Sequence, residues 1–107
     1  ISQENFNMKN TLYILRGPEA EGRAKYIHKR KFKCYFEVKK VDEEMQKKVG
    51  DVLKAGKHKT VVVSSTFEQF YIMAPYLALG RKYQYDIEVL RLPHLKGNQY
   101  GGEIYVC

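Results

Sequence analysis

The feature that most constrains this chain is an alternation. Four short runs of strand-forming residues are separated by three segments of helical character. The runs are TLYILR (Thr11 to Arg16), FKCYFEV (Phe32 to Val38), TVVVS (Thr60 to Ser64) and DIEVLRL (Asp86 to Leu92). TLYILR is near-continuous in apolar character, as a strand covered on both faces would be. TVVVS is apolar and β-branched, which reads as a central strand. In DIEVLRL, Ile87, Val89 and Arg91 alternate against the rest. A strand-helix order of this kind predicts an α/β fold. It has a parallel sheet of about four strands, with helices on both faces in a three-layer sandwich. Ligands of such sheets sit beyond the carboxyl ends of the strands.

The helical segments differ in clarity. Val41 to Ala55 is the clearest, with Val41, Met45, Val49, Val52 and Leu53 on one face. Asp42, Glu43 and Glu44 stand in its first turn, where the helix dipole favours negative charge, and Gly56 marks its stop. Gly22 to Lys31 reads as a short and very basic helix. Phe67 to Tyr83 is helical in pattern, with Phe70, Ala74, Leu77 and Ala78 on one face. Pro75 fits poorly inside a helix, so the pattern predicts a second helical piece that starts there. Ser65 or Thr66 is the expected cap of the first piece. Glu103 to Cys107 reads as a short last strand after a glycine-containing loop. Residues 1–10 read as an N-terminal arm or tag remnant, and 11–107 as one domain.

Charge is unevenly placed. The net charge is +7, and residues 23–59 hold 13 basic residues against 5 acidic ones. Such a segment attracts phosphates or an acidic partner through salt-sensitive forces, or simply keeps a solvated face soluble. Within it, Lys25, Lys29, Arg30, Lys31 and Lys33 are interleaved with Tyr26, Phe32 and Tyr35. Cations beside aromatic rings suit single-stranded nucleic acid, and they also suit a charged helix leading into a half-buried strand. Two cysteines, Cys34 and Cys107, make no disulfide framework, and Cys34 reads as a buried thiol. No apolar run is long enough to span a bilayer, and no signal peptide is visible, so the expectation is a cytoplasmic protein.

The turn after the first strand, Gly17 to Ala24, reads GPEAEGRA. Its two glycines stand at the spacing of the phosphate-binding pattern G-x-x-x-x-G-K-[ST], between a strand and a helix as that pattern requires. Gly17, Gly22 and Arg23 are therefore the candidate phosphate-binding residues, with Lys25, Tyr26, Lys29, Arg30, Lys31 and Lys33 as the candidate nucleic-acid surface. The chemistry departs from the pattern. Arg23 takes the lysine position, and Ala24 offers no hydroxyl for Mg²⁺. Glu19 and Glu21 place negative charge inside the loop, where it repels a triphosphate. The same glycines also serve an ordinary strand-to-helix turn.

The stretches LYILRG, VDEEMQKKVGDVLKAGK, TVVVSST and EQFYIMAPYLALGRKYQYDIEVLRL together resemble a shortened P-loop kinase of the polynucleotide-kinase-like type, over roughly residues 11–92. Met73, Pro75, Tyr76, Leu77, Lys82, Tyr83, Tyr85 and Ile87 carry the match in the later part. The resemblance implies a P-loop NTPase-like sheet. It also implies lost chemistry, because Ser64 and Ser65 stand where the family has Asp and Asn after its third strand, and only Thr66 persists. Glu37, with Asp42 further on, is the nearest acid to the family's base. Arg91, His94 and Lys96 are the only basic groups near its arginine-bearing lid. Phosphoryl transfer depends on positioned charge, so losing several such groups implies a pseudoenzyme.

His28, His58 and His94 are far apart, and no Cys/His spacing suggests a metal, so neither metal nor cofactor is expected. Ser64 to Thr66 lacks a nucleophile elbow. The sequence therefore supports a catalytically inactive domain that binds a nucleotide, RNA or DNA through its basic face. One alternative is a small effector, for instance a viral one, that modulates an acidic protein partner. Another is a weakly active phosphotransferase. No membrane partner is expected.

Overall fold

The computed structural model describes residues 10–92. Four strands are joined by three helices in strict alternation: β1 (Thr11–Arg16), α1 (Ala20–Arg30), β2 (Tyr35–Glu37), α2 (Glu43–Ala55), β3 (Thr60–Ser65), α3 (Phe70–Lys82) and β4 (Asp86–Arg91). The sheet order is β2-β3-β1-β4, and every pairing is parallel. The expected α/β sheet with helices on both faces is therefore present. The predicted last strand, Glu103 to Cys107, and the basic residues His94 and Lys96 lie outside the described residues. Among the described residues, no helix is long and apolar enough to cross a membrane.

Burial follows the strand order. β1 and β3 are central, and Leu12, Ile14, Leu15, Val61, Val62 and Val63 are fully buried. On one face Leu12, Ile14, Val61 and Val63 meet Val49 and Leu53 of α2 and Met73 and Tyr76 of α3. On the other, Leu15, Val62 and Leu92 meet Tyr26 and Ile27 of α1. β2 is an edge strand and holds only Tyr35–Glu37, three residues of the seven expected. With a ladder partner on one side only, the flanking residues leave the sheet early.

Helix boundaries show which local signals win. Asp42 caps α2, its carboxylate accepting the Met45 N–H at 3.0 Å, so the helix starts after the expected Val41. Gly56 closes α2 in the left-handed region. α3 runs unbroken through Pro75 and is not the two pieces that the proline predicts. A proline inside a helix costs about 3 kcal/mol. Burying Met73 and Tyr76 returns about 1.5–3 kcal/mol each, which is enough to hold the helix together. Its cap position is Gln69, so Ser65 and Thr66 lie upstream of it, and Ser65 Oγ accepts from the Phe67 N–H at 3.4 Å.

Two packing details give measurable consequences. A methyl group at Gly80 would lie 2.9 Å from Leu12 Cδ2 and 3.0 Å from Ile87, so α3 sits on the sheet at this residue with no room for a side chain. Helix propensity alone makes Gly80→Ala stabilising by about 1 kcal/mol. Overpacking costs about 1–3 kcal/mol. The expected net result is a loss of about 1 kcal/mol, read as a lower urea midpoint. Tyr76 is buried, and among the described residues its hydroxyl has no hydrogen-bond partner. Burial, with Asp42 adding to it, pushes the phenol up to about 12. Because the folded value lies above the unfolded one of about 10, the neutral phenol's contribution is complete below about pH 10. That contribution, about 2–3 kcal/mol, is lost as pH rises to about 12. Tyr76→Phe removes the unpartnered hydroxyl. It should raise stability by about 1 kcal/mol at neutral pH and flatten the alkaline decline.

Candidate functional site

At the carboxyl edge of the sheet, β1 turns into α1 through only Gly17, Pro18 and Glu19. The two glycines therefore do not bound one open loop. Gly22 and Arg23 lie inside the first turns of α1, and both are buried. Arg23 is 3% exposed. Its Nε donates to Ser64 Oγ at 2.9 Å, its Nη1 to the Gly17 carbonyl at 2.6 Å, and its Nη2 to Glu37 Oε2. One guanidinium thus ties together the ends of β1, β3 and β2. Arg23 lies on one helical stripe with Tyr26 and Ile27, at spacings of three and four, which turns it towards the sheet. Gly17 is closely approached from β4: a Cβ there would sit 3.0 Å from Leu92 Cβ. Glu19 stands at the cap position and Glu21 in the first turn, so negative charge surrounds the start of α1.

Beyond the ends of β1, β3 and β4, Arg16, Gly17, Pro18, Thr66, Glu68 and Arg91 line a cavity of about 320 Å³. It lies where α1 leaves for one face of the sheet and α3 for the other, the switch point at which open α/β sheets bind ligands. Arg16 is held there by donating to the Phe67 carbonyl at 2.8 Å. Phe67 is buried and has a left-handed backbone, at φ 45°.

The basic residues gather at the opposite edge. α1 runs back along the sheet for 11 residues, about 16 Å at 1.5 Å per residue, and ends at Arg30. Lys31 caps it in the left-handed region, and its N–H and that of Phe32 close back on the His28 and Ile27 carbonyls. This turn drives Phe32 against Tyr13, with ring centroids 5.1 Å apart, and leaves the cations outside. Arg30, Lys31, Lys33, Phe32 and Cys34 then meet His58, Lys59 and Thr60, from the start of β3, around a cavity of about 340 Å³. Among the described residues, no carboxylate lines it.

The structure therefore divides the residues singled out by sequence. Gly17, Gly22 and Arg23 are at the carboxyl edge. Arg30, Lys31 and Lys33 share the amino-edge groove, while Lys25 and Lys29 are exposed on α1 outside its lining. Tyr26 is only 6% exposed, and its hydroxyl accepts from Arg30 Nη1 at 2.6 Å. The Arg30 guanidinium also lies over the Tyr26 and Phe32 rings, at 5.5 and 5.1 Å. A ring so covered offers no face to a base. Tyr35, 49% exposed and next in sequence to Cys34, does. Sequence reasoning missed His58 and Lys59; the basic triplet Lys57-His58-Lys59 immediately before TVVVS was the available signal.

Cys34 is a free, half-buried thiol, and burial pushes its pKa up, which is opposite to the shift that activates a nucleophile. Among the described residues, no group of three His, Cys, Asp or Glu side chains is placed to hold a metal. Comparison with protein-family models, curated proteins and solved structures finds no match to this chain.

Proposed function

We propose that this is a binding domain without phosphotransferase activity, which takes single-stranded nucleic acid in its amino-edge groove. The observation that carries this reading is the groove itself: Arg30, Lys31, Lys33 and Lys59 converge with His58, and among the described residues no acid lines it. Such a surface attracts a phosphate backbone, and the exposed Tyr35, next in sequence to Cys34 of the lining, offers a stacking face in a separate cavity that it lines with His28 and Glu37. The non-catalytic part rests on the other edge. Arg23, at the lysine position of the resemblance, is spent on internal acceptors, Ala24 has no hydroxyl, and Ser64 replaces an acid. The kinship with shortened P-loop kinases and a cytoplasmic location belong to the same proposal.

A labelled 5′-hydroxyl single-stranded oligonucleotide, followed by fluorescence anisotropy, tests it. Binding that weakens steeply with salt and with Lys31→Glu/Lys33→Glu supports the reading. Salt-independent binding, or none, removes it. Incubation with ATP and Mg²⁺ should leave the 5′ end unphosphorylated.

One observation favours a second reading, an acidic protein as partner. Phe70 and Tyr71, at the start of α3, are 64% and 63% exposed side by side. Exposed adjacent aromatics are typical of protein interfaces. Capture of a protein partner that Phe70→Ser/Tyr71→Ser abolishes, with no oligonucleotide binding, would favour this reading over the first.

A further inference from the structure

We infer that the cavity between α1 and β2 receives one base of the bound strand and selects bases with an exocyclic amino group over uracil. Such selection presupposes the nucleic-acid reading of the neighbouring groove. β2 is an edge strand, and among the described residues no strand pairs with its outer side. Side chains alternate along a strand, so Phe36 packs against the core on one face while Tyr35 and Glu37 share the other. Ala20, Ala24, Ile27 and His28 of α1 lie on one helical stripe, at spacings of three and four. These residues, with Tyr35 and Glu37, line a cavity of about 280 Å³. The two alanines leave the space that longer side chains would fill. On both elements the cavity adjoins the cation-lined groove: Cys34 and Arg30 line the groove, and Tyr35 and His28 line the cavity. Gly17, Gly22 and Arg23 do not line it, so it is separate from the phosphate position that the kinase resemblance implies.

The lining suits the flat face and the polar edge of a base. Ala20, Ala24 and Ile27 make an apolar wall, and the half-exposed Tyr35 offers a ring for stacking. Glu37 supplies the polar contact. Its Oε2 accepts from Arg23 Nη2, which anchors the carboxylate, and among the described residues Oε1 has no donor. A carboxylate salt-bridged in this way accepts hydrogen bonds and donates none. It matches the exocyclic amino group of cytosine or adenine. Uracil has a carbonyl oxygen where cytosine has its amino group, and that oxygen repels the carboxylate.

Fluorescence anisotropy of the full chain with oligodeoxycytidine and oligodeoxyuridine of equal length, at neutral pH, is the test. The two share backbone and ring size and differ on the edge that Glu37 meets. Oligodeoxycytidine should bind about 5-fold more tightly, the lower end for a base contact because Glu37 is half-exposed, and the salt slopes should be equal. Glu37→Gln keeps an oxygen for Arg23 and places an amide donor where Oε1 stood, so the preference should disappear. Ala24→Leu, at an exposed helix position, fills the cavity. It should also remove the preference, with the salt slope and the helical circular dichroism unchanged. Equal affinity for the two oligonucleotides, with salt-dependent binding retained, would overturn the inference and leave the groove standing. A preference that survives both variants would overturn it as well. Binding of neither oligonucleotide would remove the groove reading and this selectivity with it.

Discussion

Arg23→Ala should lower the unfolding free energy by about 3 kcal/mol, a large fraction of the stability of a domain of this size. Three acceptors lose their donor at once. Ser64 Oγ and the Gly17 carbonyl are left in the interior, and each buried unsatisfied group costs about 1–3 kcal/mol. Glu37 is treated differently because it is 42% exposed at the sheet edge, so water replaces much of what Arg23 supplied. Glu37→Gln should accordingly cost only about 1 kcal/mol, since an amide oxygen still accepts from Nη2. Arg23→Lys should fall between, because an ammonium keeps the charge and has no planar fork to span three strand ends. Urea denaturation checks the series. If Arg23→Ala changed the midpoint little, the side chain would not be an internal strut, and its place in a ligand site would be open again.

Binding of a single-stranded oligonucleotide should show the other large effect. With Arg30, Lys31, Lys33 and Lys59 each neutralising one phosphate, log K falls against log salt with a slope of about −3. Raising salt from about 50 to about 200 mM then weakens binding about 50-fold. Lys31→Glu/Lys33→Glu removes two of these contacts and adds two repulsions, so the loss at low salt should reach about 100-fold with a shallower slope. Tyr35→Ala should cost about 10-fold without changing the slope, because stacking releases no counterions. Tyr26→Phe keeps the covered ring and the Arg30 charge and removes only the hydroxyl that accepts from Arg30 Nη1, so the slope should stay the same. Isotherms at four salt concentrations separate these cases.

The parts of the fold that were legible in the sequence are those where one physical term dominates. TLYILR and TVVVS read as covered strands because their flanks on both sides are apolar layers, and they form β1 and β3 at the centre of the sheet. α2 was readable from its stripe and acidic first turn. Edges were harder. FKCYFEV has strand composition throughout, yet only its last part finds a ladder partner. Pro75 reads as a break because local sequence does not record the burial of Met73 and Tyr76 that outweighs it.

The candidate site was legible in composition and not in geometry. A surplus of cations between residues 23 and 59 marks the groove, but the chain passes α2 between Lys33 and His58. Only the parallel crossover returns His58 and Lys59 to the same edge as Lys31. Arg23 illustrates the opposite case. It belongs to the basic run by charge, while its spacing to Tyr26 and Ile27 places it on the buried stripe. Periodicity, not charge, was the informative signal there.

The most direct test of the account is a chemical-shift titration of the isotope-labelled chain with a 5′-hydroxyl single-stranded oligonucleotide at low salt. Shifts should concentrate at Arg30 to Tyr35 and Lys57 to Thr60, and Gly17 to Arg23 should stay still. Shifts centred on Gly17 to Arg23 and Ser64 to Glu68, with the amino edge unmoved, would contradict it.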